Sequence, residues 1–149
     1  MTLRKAAAKT AASSSSSPPA EPMEAVRRWH DFVERRDPAL LHDLLAEDAV
    51  FESPVVHTPQ LGRAITEKYL LGAMMVLGGS AFRYTGEWIS DTGAVLEFET
   101  EIDGVHVNGV DIIRTSADGT QITHFKVMIR PIKAIEVVHR RMGEMLARG

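Results

Sequence analysis

Cysteine is absent from this sequence of 149 residues. Disulfide bonds, thiolate nucleophiles and cysteine-type zinc sites are therefore excluded, and the redox compartment stays open. The six histidines show neither His-x-x-x-His nor His-x-His spacing. The sequence also has no Ser-His-Asp elbow, phosphate loop or dinucleotide fingerprint. We therefore predict no metal site and no cofactor.

Aromatic residues are scarce, at 6%, and basic residues are outnumbered by acidic ones. Residues 1–20 hold three basic residues and no acid, so residues 21–149 carry 14 basic against 20 acidic residues. An acidic domain with few aromatics has neither the basic face nor the stacking surface that nucleic-acid binding requires. The same charge balance disfavours an anionic membrane surface. We expect neither nucleic acid nor membrane as a partner.

Long apolar runs are also missing, and nothing approaches the ~20 residues of a membrane span. Residues 1–20 are rich in alanine, serine and proline, with Leu3 as their only large apolar residue after the initiator. This composition predicts a disordered tail rather than a signal peptide, although an acid-free, serine-rich start is also found in organelle transit peptides. We expect a cytoplasmic protein with a single folded domain at residues 21–149.

Three helices are predicted in the first half of that domain. The first opens at Glu21-Pro22 and the second at Asp37-Pro38, since proline suits the first helical turn. Apolar residues recur every three or four positions in each helix. Between the second and third helices we predict a strand at residues 49–53 and a loop at residues 59–62. Gly78-Gly79 ends the third helix.

From Phe82 onward the hydrophobic period changes to two, which is typical of strands. Turn signals with glycine predict four antiparallel strands near residues 81–90, 94–102, 105–115 and 121–130. An amphipathic helix follows at residues 132–145. This order predicts an α+β fold, in which a cone-shaped, curved antiparallel sheet wraps around three N-terminal helices and a C-terminal helix closes the domain.

Such a sheet leaves a central pocket, which is the default place for a ligand. Asp111 shares its strand parity with Gly109 and Ile113, so it is predicted to point into this pocket. A carboxylate among apolar groups loses hydration worth several kcal/mol, roughly, and is usually paired, neutralised or functional. Asp111 is therefore the candidate acid, with a structural acid bonded to a backbone N–H or to the Trp29 indole as the alternative.

The other candidate ligand contacts are apolar residues of inward parity and a few polar residues near the pocket. Each has a plain structural alternative: strand-end bonding for Ser53, core packing for Trp29, a surface position for His57 and adaptable packing for methionine. The candidates are Trp29, Ser53, His57, Met74, Phe98, Phe125, Val127 and Ile129.

The order of elements, the segment LLAEDAVF at residues 44–51 and the closing pair of strands resemble the nuclear transport factor 2-like fold. Within it, residues 23–131 are similar to the SnoaL-like polyketide cyclase and ketosteroid isomerase group. The resemblance to ketosteroid isomerase places its catalytic aspartate base at Ser53, its tyrosine donor at Trp29 and its protonated aspartate at Asp111. In that enzyme, apolar surroundings keep the protonated aspartate neutral, so that it can donate a hydrogen bond. Because Ser53 is not a base, the resemblance does not imply a true steroid isomerase.

SnoaL-like cyclases are similar through an acid on the same strand and a Gly-x-x-x-x-His pattern, present here as Gly119 and His124. The resemblance implies a reaction without cofactor that uses a histidine and an aspartate. His124 has outward parity unless a bulge shifts the register, so no partner histidine is identified. Limonene epoxide hydrolases need a second aspartate where this chain has Val127, and that activity is set aside.

These observations favour a SnoaL-like protein that binds a small apolar, carbonyl-containing molecule. If it is an enzyme, it is of the cofactor-independent cyclase, isomerase or lyase type, with Asp111 as acid. The alternative is a non-catalytic ligand-binding or dimerisation domain of the same fold. Met128 and Ile112 lie among polar neighbours on the outer sheet face, which predicts a homodimer through that face.

Overall fold

The computed structural model describes residues 23–148. The predicted tail at residues 1–20 and the helix start at Glu21-Pro22 lie outside this range. The described part contains four helices and six strands. Their bounds are α1 Glu24–Arg35, α2 Pro38–Leu44, β1 Leu45–Glu52, β2 Gln60–Leu61, α3 Arg63–Leu77, β3 Arg83–Ser90, β4 Gly93–Ile102, β5 Val105–Thr115, β6 Ile122–Arg130 and α4 Ile132–Ala147.

The helices form where the sequence predicts them, and local signals set their ends. Helix α1 buries its apolar face, and Arg36, the residue that follows its last turn, takes the left-handed backbone conformation. Helix α2 begins at Pro38, and the preceding Asp37 caps it by accepting a 3.0 Å hydrogen bond from the Ala39 N–H. Gly78 caps the C-terminus of helix α3, which ends at Leu77. Together α1 and α3 place Trp29, Leu70 and Val76 in the core.

The six strands form one curved, mixed sheet in the order β2-β1-β6-β5-β4-β3. The predicted α+β class and the four C-terminal strands are confirmed. Strand β1 pairs with β6 in parallel, and all other neighbours are antiparallel. A parallel pair needs a long crossover connection, and the elements from β2 to β5 provide it, so that β1 can join the free edge of β6.

Two sequence-based predictions need correction in the first half. The segment at residues 59–62, predicted as a loop, contains the two-residue strand β2, which pairs Leu61 with Val50 and Gln60 with Phe51. Strand β1 begins at Leu45 rather than at Ala49. Both differences come from tertiary pairing, which local propensity does not encode.

The sheet has one buried and one wet face, as predicted. Leu96, Phe98 and Thr100 of β4 are buried, whereas Glu97, Glu99 and Glu101 are half-buried or exposed. Register shifts interrupt the β1–β6, β3–β4 and β5–β6 pairs. Such bulges bend a strand and raise its twist, which helps the sheet to curve around the core. No helix among residues 23–148 is long and apolar enough to cross a membrane.

Candidate functional site

Asp111 lies in the middle of β5 with its side chain on the inner face of the sheet. It is paired with Leu96 on β4 and Val127 on β6, and only 6% of it is exposed. The prediction that it shares the buried face with Gly109 and Ile113 is confirmed. Burial raises the pKa of Asp111 from 3.8 to about 7, against a smaller lowering by a hydrogen bond from Tyr84. At neutral pH the carboxyl group is therefore partly protonated.

A chain of hydrogen bonds joins α1, β3 and β5 at this carboxyl group. Trp29 Nε1 donates a 2.9 Å bond to the Tyr84 hydroxyl, and that hydroxyl lies 2.6 Å from Asp111 Oδ2. An indole N–H can only donate, so the tyrosine oxygen accepts from Trp29 and its own proton is directed at Asp111. The pKa of Tyr84 is raised well above 10.0 by burial and then by the negative charge of Asp111. Tyr84 therefore stays a neutral donor.

The second carboxyl oxygen of Asp111, Oδ1, is without a hydrogen-bond partner among residues 23–148. Leaving a buried polar atom unpaired costs about 1–3 kcal/mol, and such atoms are rare in folded proteins. When Asp111 is protonated with Tyr84 donating to Oδ2, the acid proton sits on Oδ1. This oxygen is thus the part of the carboxyl group that can meet a ligand.

Aromatic packing holds this arrangement in place. The Trp29 ring lies 4.6 Å from the Phe125 ring and 5.3 Å from the Phe32 ring, measured between centroids. Tyr84 stands edge-on to Phe82 and Phe98, at 5.1 Å and 6.5 Å. Tilted and edge-to-face pairs of this kind are favourable geometries for aromatic rings. The donors are therefore held before any ligand arrives.

Two cavities with a shared wall lie near Asp111, which lines the first of them. The first, the acid cavity, measures about 30 Å³ and contains Trp29, Tyr84 and Asp111 in its wall. The second, the helix cavity, measures about 180 Å³ and runs beneath α4, whose Val138 and Met142 line it. Since a single water needs roughly 10–15 Å³ of such volume, the acid cavity has room for one small polar group and the helix cavity for an apolar body.

The cavities share three wall residues, Ala73, Leu77 and Val127. Among residues 23–148, neither cavity has a lysine or arginine in its wall, and Asp111 is the only carboxyl group in either. The lining is otherwise mainly aliphatic and aromatic. This chemistry suits a neutral ligand, because an anion would meet Asp111 without a compensating positive charge.

The predicted contact residues divide between these cavities. Met74, Phe98 and Phe125 line the acid cavity with Trp29, whereas Ser53 and Ile129 line the helix cavity and Val127 lines both. His57 is exposed and lies in neither wall. The Ser53 hydroxyl accepts bonds from the backbone N–H groups of Val55 and Val56, at 3.0 Å and 3.2 Å.

His124 lies on the outer side of the sheet. Its Nε2 is hydrogen-bonded to Glu52, which also lies 3.9 Å from the Lys126 ammonium, and none of the three lines either cavity. No cluster of three or more histidine or acidic residues suited to a metal ion occurs within residues 23–148.

Tyr84 is the site residue that the sequence reasoning missed. A usable signal was present, because the tyrosine lies in the first of the four strands that the period-two alternation predicts. Its position directly opposite Phe98 places its ring on the inner face. What the sequence does not reveal is that α1 brings an indole donor to the same hydroxyl.

Comparison with known proteins agrees with this architecture. The family model of the SnoaL-like domain matches residues 26–125. The chain belongs to the SnoaL-like domain family. This places it in the nuclear transport factor 2-like superfamily, as the sequence resemblance indicated. No curated protein matches the chain.

Several solved structures resemble this SnoaL-like chain. One is described as a steroid delta-isomerase from Pseudomonas aeruginosa. It is 34% identical, with a TM-score of 0.79, and the match covers 89% of this chain and 97% of that one. A second is an uncharacterised protein with a cystatin-like fold from Silicibacter pomeroyi, at 29% identity and a TM-score of 0.73, covering 80% of this chain and 83% of that one.

A third is a nuclear transport factor 2-like protein of unknown function from Mesorhizobium loti. It is 25% identical, with a TM-score of 0.63, and the match covers 76% of this chain and 98% of that one. These likenesses support the fold and the family, while function depends on the residues of the site.

Proposed function

We propose that this SnoaL-like protein binds a small, neutral, apolar molecule carrying a carbonyl group. The apolar body occupies the helix cavity, and the carbonyl oxygen enters the acid cavity, where it accepts a hydrogen bond from protonated Asp111. The observation that carries the proposal is the unpaired Oδ1 of a buried carboxyl group whose other oxygen is already bonded to Tyr84.

If the protein is an enzyme, Asp111 acts as the acid of a cofactor-independent isomerase, cyclase or lyase reaction. A hydrogen bond or proton on a carbonyl oxygen draws electrons from the adjacent carbon, so a C–H next to the carbonyl becomes more acidic. Tyr84 and Trp29 position the acid and hold its second oxygen. A carboxyl group with a pKa of about 7 is matched to such a role near neutral pH.

The residue at position 53, Ser53, helps to decide which reaction the protein could catalyse. The resemblance places the catalytic base of ketosteroid isomerase at this position, and its hydroxyl accepts two backbone N–H bonds instead. The similarity to the Pseudomonas steroid delta-isomerase structure thus supports a related carbonyl ligand more strongly than the same reaction. A non-catalytic ligand-binding domain is the second candidate function, favoured by this missing base.

Mass spectrometry of the purified protein tests the proposal. We expect a neutral, carbonyl-containing metabolite to be extracted from the wild type and to be absent from a Val127→Trp variant, which fills the junction of the two cavities. If fresh protein converts this metabolite and Asp111→Asn slows the conversion by roughly a hundredfold, the protein is an enzyme. Retention without conversion assigns the binding role, and a charged metabolite bound equally by the Val127→Trp variant overturns the proposal.

We also propose a homodimer formed through the outer face of the sheet. Trp88 is 59% exposed and Met128 is 51% exposed on this face. Cross-strand pairing places Trp88 beside Val95 and Ile112, and Met128 beside Val110. An apolar patch of this kind on a sheet face is typical of a protein contact, and a two-fold axis lets one patch pair with its own copy.

A further inference from the structure

The chain has two tyrosines, and both line the cavities. Tyr84 makes two hydrogen bonds at the acid end. Tyr69 lies on α3, is half-buried and lines the helix cavity, with its ring 5.3 Å from the Phe51 ring. Within residues 23–148 its hydroxyl has no hydrogen-bond partner, so this O–H is available to a molecule in the cavity.

Ser53 places a second hydroxyl in the wall of the helix cavity. Its oxygen accepts from the Val55 and Val56 N–H groups, and its own proton is not used in either bond. Tyr69 and Ser53 therefore contribute two residues with an unused O–H donor to a cavity wall that is otherwise mainly apolar.

The shared wall between the two cavities is apolar, since it consists of Ala73, Leu77 and Val127. The polar groups thus lie in two separate places: Trp29, Tyr84 and Asp111 in the acid cavity, and Tyr69 and Ser53 in the helix cavity. Within the described part of the chain, the wall of the helix cavity has no carboxylate, lysine or arginine, and its single histidine, His139, is exposed. These donors suit a neutral oxygen rather than a charged group.

We propose that Tyr69 is a second ligand-binding residue, and that the ligand carries two neutral oxygen functions separated by an apolar body. One oxygen is the carbonyl at Asp111, and the other is a hydroxyl or a second carbonyl that accepts from Tyr69, with Ser53 beside it. This inference rests on the proposed function and narrows its ligand class to bifunctional molecules.

The binding of two related ketones to the full-length protein tests the inference. The first is acetylnaphthalene, and the second is the same ketone with a hydroxyl on the far ring. Binding of each is measured by calorimetry to wild type, Tyr69→Phe and Asp111→Asn. Tyr69→Phe is preferred to a Ser53 variant, because removing the Ser53 hydroxyl also removes the acceptor of two backbone N–H groups.

We expect Tyr69→Phe to weaken binding of the hydroxylated ketone by roughly five- to tenfold, which is the effect of one neutral hydrogen bond. Binding of the plain ketone should weaken by less than about twofold. Asp111→Asn should weaken the binding of both ketones by the same factor. If both ketones bind the wild type and Tyr69→Phe changes them equally or not at all, the Tyr69 inference is overturned while the proposed function stands. If neither ketone binds the wild type, the proposed function itself is overturned, and the inference with it.

Discussion

The Tyr84 hydroxyl donates a 2.6 Å hydrogen bond to Asp111 Oδ2. Tyr84 lies on β3 and Asp111 on β5, and these two strands are not neighbours in the sheet. Strand β4 lies between them, so the tyrosine reaches over Phe98 to meet the acid. This bond fixes which carboxyl oxygen is occupied and which is free. The behaviour of Asp111 should therefore depend on Tyr84.

Tyr84→Phe should destabilise the protein by about 1–3 kcal/mol, because the Trp29 N–H loses its acceptor and Asp111 loses its donor. The pKa of Asp111 should also rise, since the Tyr84 bond lowers it in the wild type. Urea unfolding and carboxyl carbon NMR measure the two effects. Tyr69→Phe is the matched control, because its hydroxyl has no partner among residues 23–148. Equal losses in both variants would contradict this account of Tyr84.

Asp111→Asn should change how stability depends on pH. The folded pKa of Asp111, about 7, lies above the 3.8 of an ordinary aspartate, so between these values the native state binds more protons than the unfolded state. Stability should fall with rising pH across this window, by up to about 1.4 kcal/mol per pH unit. The Asn variant should lack this fall and be at least as stable as wild type at pH 8.

Asp118→Asn provides the opposite control for that titration. Asp118 is exposed, and hydrogen bonds from Ser116 and then Thr120 lower its pKa. Its contribution is present above pH 3.8 and is lost as the pH falls through its lowered folded pKa. Asp118→Asn should therefore change the free energy of unfolding by a nearly constant amount from pH 4 to 8 and leave its pH dependence in this range unchanged. A clear loss of stability at pH 7 in Asp111→Asn would identify Asp111 as an ionised structural acid.

Met128→Lys should separate the proposed dimer into monomers, because it places a charge in the outer-face patch beside Val110. Sedimentation velocity at micromolar concentration measures the change. Met75→Lys is the control, since Met75 is 68% exposed on α3, away from this face. A wild type that sediments as a strict monomer would rule out the dimer.

Deletion of residues 1–20 should leave the melting temperature within about two degrees of the full chain. This prediction rests on composition alone, because the segment has Leu3 as its one large apolar residue after the initiator. Thermal melts of the two proteins at equal concentration are sufficient. A decrease of several degrees would show that the segment packs on the domain.

The sequence predicts the meander well because period-two alternation and glycine turns are local signals. They place Asp111 on the buried face correctly, and the same alternation places Glu97 and Glu99 on the opposite face. The parallel pairing of β1 with β6 has no local signal, since it joins residues about 75 apart, such as Val50 and His124. Strand β2 is also not predicted, because two residues are too few to show an alternating pattern.

The site is only partly predictable from the sequence. Parity identifies the inward acid, and helical spacing puts Trp29 on the buried face of α1. The contact between them runs through Tyr84, and neither spacing nor composition reveals such a link across two elements. For His57 the sequence leaves a pocket-mouth position and a surface position open, and the structure places it at the surface, outside both cavity walls.

The central claim is that protonated Asp111 donates to a neutral carbonyl ligand, and the pH dependence of ligand binding tests it most directly. The dissociation constant of acetylnaphthalene should be constant well below pH 7 and rise about tenfold per pH unit above the folded pKa of about 7. Asp111→Asn should bind more weakly and without this pH dependence. A wild-type affinity that stays constant from pH 5 to 9, or that increases as Asp111 ionises, would contradict the account.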